Sequence, residues 1–63
     1  MYIVCAIKCG VMLQYGTKWH KEDYGFIPES ADANWTLFAN RDEADVIVRS
    51  YPHLDAFVVG DDA

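Results

Sequence analysis

Basic residues are scarce in this chain. Its 63 residues include five Lys and Arg against ten Asp and Glu, a formal net charge of -5. Phosphate backbones are gripped by Lys and Arg, so the balance argues against direct nucleic acid binding and against adhesion to an anionic membrane. Long apolar runs are missing too. The uncharged stretch from Met1 to Ile7 is far shorter than the roughly 20 residues of a helical membrane span. It also lacks the basic leading region and small-residue cleavage site of a secretion signal. A cytoplasmic protein is expected.

Metal-binding and nucleophilic residues are equally sparse. The only thiols, Cys5 and Cys9, fall in one expected strand, which separates their Cα atoms by about 13 Å. A disulfide spans no more than about 7 Å, so two buried, unbridged thiols are expected. His20 and His53 are the only histidines, and no Cys-x-x-Cys or His-x-x-x-His spacing brings two ligands to one ion. Ser30 and Ser50 have no flanking glycines resembling a nucleophile elbow. A Cys–His pair is formally available, but a thiol on the apolar face of a central strand keeps its proton. No glycine pattern suggests a phosphate loop. Carboxylates are plentiful, yet a general acid needs a pocket to raise its pKa, and so small a domain leaves little room for one. The expectation is a protein that is not an enzyme and holds no cofactor and no metal.

What the chain does have is apolar mass. Hydrophobic residues make up 52% and aromatics 14%, which suits a dense small core and argues against disorder. The length allows a single domain over residues 1–63, one that buries only roughly 60% of its unfolded surface.

The expected fold is α+β: a three- to four-stranded, mainly antiparallel sheet with one helix on one face, in the order β-β-(β)-β-α-β. Residues 2–9 read as a first strand. Ile3, Cys5, Ile7 and Cys9 alternate with Tyr2, Val4, Ala6 and Lys8. A strand apolar on nearly both faces belongs in the middle of a sheet. A tight turn at Cys9-Gly10 returns the chain as an antiparallel strand from Val11 to Tyr15, with a break or bulge at Gly16. Residues 21–34 read as a long loop, with a partial strand around Tyr24–Ile27 ended by Pro28.

The stretch from Trp35 to Val59 is the best specified and reads as strand, helix, strand. Asn40 suits an N-cap, and Glu43 three residues on completes a capping-box-like pattern. Asp42 and Glu43 sit where the helix dipole favours negative charge. Ala44, Ile47, Val48 and Tyr51 recur at helical spacing as a narrow inner stripe, and Pro52 stops the helix. The last strand is Ala56 to Val59. If the strands flanking the helix share a sheet, they run parallel with a right-handed crossover.

Two surface features bear on function. Tyr15-Gly-Thr-Lys18-Trp19-His20-Lys21 interleaves aromatics with bases, as single-strand binders do, but Glu22 and Asp23 follow at once, and a half-exposed edge strand explains the stretch equally. On the helix, Asp42, Asp45 and Arg49 face outward around Val46. Flanked by Asp42, Glu43 and Asp45, Val46 is placed as an apolar anchor within a charged rim. Glu22, Asp23, Glu29 and Asp32, with Asp61 and Asp62 at the end, would extend that surface. A net charge of this size also simply maintains solubility.

In length, in its acid pairs Glu22-Asp23, Asp42-Glu43 and Asp61-Asp62, and in its strand–Asn40 cap–helix–strand unit, the chain resembles the small acidic inhibitors of host defence that phages encode, including anti-CRISPR proteins. The resemblance implies a bacterial host cytoplasm and a mechanism: acids occupying the basic, nucleic-acid-binding surface of an effector complex. The expected partner is therefore a protein with a basic surface. The alternatives are a subunit that homodimerises through an open sheet edge or through Val46, and a single-strand binder using Lys18, Trp19 and Lys21.

Overall fold

Alternation in the first ten residues produces a hairpin. The computed structural model describes residues 1–18, 24–28 and 33–60. Strand β1 (Tyr2–Lys8) turns back into β2 (Val11–Lys18), with Lys8 opposite Val11 and Cys5 opposite Gln14. Cys9 and Gly10 both take positive φ, 52° and 77°, as the two-residue turns that match strand twist require. Cys9 is therefore an exposed turn residue and not a buried strand residue. The turn needs its conformation, and the strand ends one residue before it. Cys5 is buried, and the two thiols are not bonded to each other.

Among the described residues the sheet has five strands, all paired antiparallel. The path runs β3 (Tyr24–Pro28), β2, β1, β5 (Phe57–Gly60), and β4 (Ala33–Trp35) pairs with β2. The doubly apolar β1 lies inside the sheet, as its composition requires. The expected count of three or four strands is too low, and the expected order changes. The reason is β4. Strand β3 occupies one edge of β2 from Leu13 to Thr17. On the other edge β1 covers Val11 to Gln14, and β4 takes over from Gly16 to Lys18. Residues 33–38 thus fill the gap where β1 leaves β2. The Thr36 amide donates to the Tyr15 carbonyl at 3.1 Å, and Tyr2 and Phe38 exchange two 2.8 Å backbone bonds.

Neither does the parallel crossover form. β4 runs against β2 and β5 runs against β1, so the strands flanking the helix point in opposite directions and have no shared ladder. Gly16 is no bulge either. β2 is continuous through it, and a Cβ there would run into the Asn34 carbonyl oxygen and lie 3.0 Å from the Trp35 Cα. Glycine is needed for that close approach.

The helix α1 (Arg41–Ser50) packs on β1 and β5. Val4, Ala6 and Ala44 have no solvent exposure. Past the helix, a single 3-10 turn (Pro52–Leu54) and Asp55 in left-handed conformation lead into β5. No helix is long and apolar enough to cross a membrane among the described residues. Among the described residues no helix packs on the opposite sheet face, and the second apolar set of β1 is only partly covered: Cys5 is buried, while Ile7 is 58% exposed.

Two substitutions test this account. Cys9→Asn keeps a side chain that tolerates positive φ and should raise stability to urea by about 0.5–1 kcal/mol; a loss instead would mean that Cys9 holds the turn by some other contact. Gly16→Ala should cost about 2 kcal/mol by forcing β4 away from β2, read from the same denaturation curves. A change below about 0.5 kcal/mol would show the β2–β4 pairing to be dispensable.

Candidate functional site

The outward face of α1 is set by its inward one. Ala44 is buried and Ile47 and Val48 are half-buried, which leaves Asp42, Glu43, Val46 and Arg49 exposed. Asn40 begins the helix with extended backbone, φ -119° and ψ 141°, but its side chain makes no bond to the helix backbone. Its amide instead donates to Glu43 Oε1 at 3.5 Å, the outer limit of a hydrogen bond. Asp42 and Glu43 are exposed acids on the first turn, where the helix dipole favours them. Val46, 56% exposed, lies one turn on. Its carbonyl accepts a 2.8 Å bond from the Ser50 hydroxyl, which ties down the backbone beneath it.

Of the expected site residues, Asp42, Glu43 and Val46 come together as one exposed group. Asp45 is half-buried at its margin. Glu22, Asp23, Glu29 and Asp32 lie outside the described residues, as do Asp61 and Asp62 and the Trp19-His20-Lys21 part of the basic stretch.

A second feature escapes the sequence. Thr17, Tyr24, Asn34, Trp35 and Thr36 line an open cleft of about 380 Å³. Its walls come from β2, β3, β4 and the residue after β4, assembled by the pairings of Gly16 with Gly25 and Trp35. Among the described residues its lining holds aromatic rings, hydroxyls and an amide. Such groups can stack and hydrogen-bond. No sequence signal announces it, because its residues have no fixed spacing.

A cluster of rings lies behind the helix. Tyr51 at the helix end meets Phe26 edge-on at 5.0 Å and Tyr15 at 6.0 Å, and Tyr15 also contacts Phe26, Tyr24 and Phe38. Burial pushes the Tyr15 hydroxyl above its ordinary 10.0, helped by the charge that a neighbouring Tyr51 would carry and by a hydrogen bond with it. This is a packing cluster that favours the neutral form of the Tyr15 hydroxyl. Among the described residues, no group of three His, Cys, Asp or Glu comes together to hold a metal ion.

No known family model matches this chain, and comparison with curated proteins and with solved structures finds no similar one.

The Tyr15 shift has a consequence for pH. The fold favours the neutral hydroxyl, so its contribution to stability is complete below pH 10.0. It is lost as pH rises past that value through the raised one. Denaturation midpoints should fall steeply above pH 10.0. Tyr15→Phe should flatten part of that fall while costing about 1 kcal/mol near neutrality. An identical alkaline slope in the two proteins would remove Tyr15 as the cause.

Proposed function

We propose that this chain is a non-enzymatic binding protein whose acidic helix face docks on a basic surface of a protein partner, in the manner of the phage-encoded inhibitors it resembles. The observation that carries the proposal is the exposed group Asp42, Glu43 and Val46, an apolar side chain beside two acids on a helix held by its opposite face. An interface wants this arrangement: an apolar centre to be desolvated and a charged rim to steer approach. The net charge of -5 adds long-range attraction toward a basic groove. If that groove normally holds nucleic acid, the chain competes with phosphates for it and so inhibits its partner.

Affinity capture from the native host tests this, with wild type beside the double variant Asp42→Lys, Glu43→Lys and the single variant Val46→Lys. The wild type should retain a basic protein that elutes as salt is raised, and each variant should lose it while keeping its circular dichroism. Adding the wild type should displace nucleic acid from the captured protein. Equal capture by wild type and the double variant would sink the helix-face reading.

A further inference from the structure

The sheet face away from the helix is where two copies of this chain meet: we infer a dissociable homodimer packed sheet to sheet. It uses none of the helix residues above and differs from pairing at a sheet edge. Strand register places Ile3, Ile7, Met12, Phe57 and Val59 on one face: Ile3 lies opposite Val59, Cys5 opposite both Phe57 and Gln14, and Ile7 opposite Met12. Val4 and Ala6, which alternate with them, have no solvent exposure on the helix side. On the open face Ile7 is 58%, Val59 45%, Phe57 38% and Met12 36% exposed. Isolated exposed apolar residues are ordinary, but a contiguous set on one flat element marks a contact surface.

Charge selects the occupant. The positions of this face on β5, β1 and the facing part of β2 are all uncharged, Gln14 being the one polar side chain among them. The described acids lie elsewhere: Asp42, Glu43 and Asp45 on α1, and Asp55 in the turn before β5. Among the described residues a basic partner would find no acid here to pair with. A second copy would find an uncharged, self-complementary surface, and the two-fold arrangement would put both acidic helices on the outside, as far apart as the assembly allows. Two such faces pack about 10 Å apart.

Area sets the strength. Strands of 7, 8, 5 and 4 residues, at about 3.3 Å per residue and about 4.8 Å apart, make a face of roughly 380 Å². Two faces together bury roughly 760 Å², short of the roughly 1,600 Å² typical of stable interfaces and in the range of weak, transient ones. The dimer should therefore dissociate on dilution. The monomer also gains from it: among the described residues only Val4, Cys5, Ala6, Ile27 and Ala44 are buried apolar side chains, and small domains with so thin a core are commonly completed by self-association.

Sedimentation velocity from low to high micromolar concentration decides the matter. The wild type should move from monomer to dimer with dilution-reversible kinetics, undiminished by added salt, and its melting temperature should rise with concentration. Ile7→Lys and Val59→Lys, both at exposed positions that a monomer tolerates, should each weaken association by about tenfold or more. Val46→Lys should dimerise like the wild type. A wild type that stays monomeric across the range overturns the inference without recourse to any variant. So does a dimer that Val46→Lys breaks and the sheet-face variants leave intact.

Discussion

Three side chains without solvent exposure, Val4, Ala6 and Ala44, set how closely the helix approaches the sheet, and much of the remaining architecture follows. Alanine on both sides of the contact lets the two backbones come near. Packing falls off steeply with a gap of even a fraction of an ångström, so that nearness is what a small core needs. It also limits the helix. Ten residues extend only about 15 Å, so α1 covers β1 and β5 and ends before β2 and β3. The rest of that face is covered by rings: Tyr51 leaves the helix and packs on Tyr15 and Phe26, and Phe38 closes on Tyr15 from the other side. Pro52 then redirects the chain through a tight turn to β5, the one strand position still available beside β1.

The second constraint is backbone hydrogen bonding on the inner edge of β2. Once β1 diverges toward β5, the groups of β2 beyond Gln14 need partners, because buried amides and carbonyls are costly when left unpaired. Residues 33–38 supply them through Ala33–Trp35, the Thr36 amide and the paired bonds of Phe38 with Tyr2. Strand β4 can come that close only because residue 16 has no side chain. The same insertion builds the cleft of Tyr24, Trp35 and the two threonines, so this concave surface is a by-product of repairing the sheet.

The outcome is a molecule with two unlike sides. One side carries the helix and its exposed acids; the other is a partly exposed sheet face whose described positions on β5, β1 and the facing part of β2 carry no charge. A charged partner and a second copy would therefore not compete for the same surface, and a dimer would present two acidic helices at once. Paired sites of that kind raise the apparent affinity for a partner that is itself repeated or two-fold symmetric, without any new contact.

The sequence by itself determined what rests on local chemistry. The apolar stripe Ala44, Ile47, Val48 with an acidic first turn and a proline stop specified α1 to within a residue, because those signals act over one or two turns. Alternation in residues 2–9 specified β1 as an interior strand, and Pro28 bounded β3. Glycine at position 10 specified a tight return, but the apolar alternation of residues 2–9 runs on through Cys9, which the turn takes at positive φ. The outward placement of Asp42, Glu43 and Val46 was also legible, since it is the complement of the inner stripe. Only the tertiary structure decided which strands pair, that β4 wedges beside β2, that β5 runs against β1, and that the helix covers one apolar face of β1 while the other is only partly covered. Those outcomes depend on contacts between residues far apart in the chain, and hydrophobic alternation is the same whether a face meets a helix, a second copy or water.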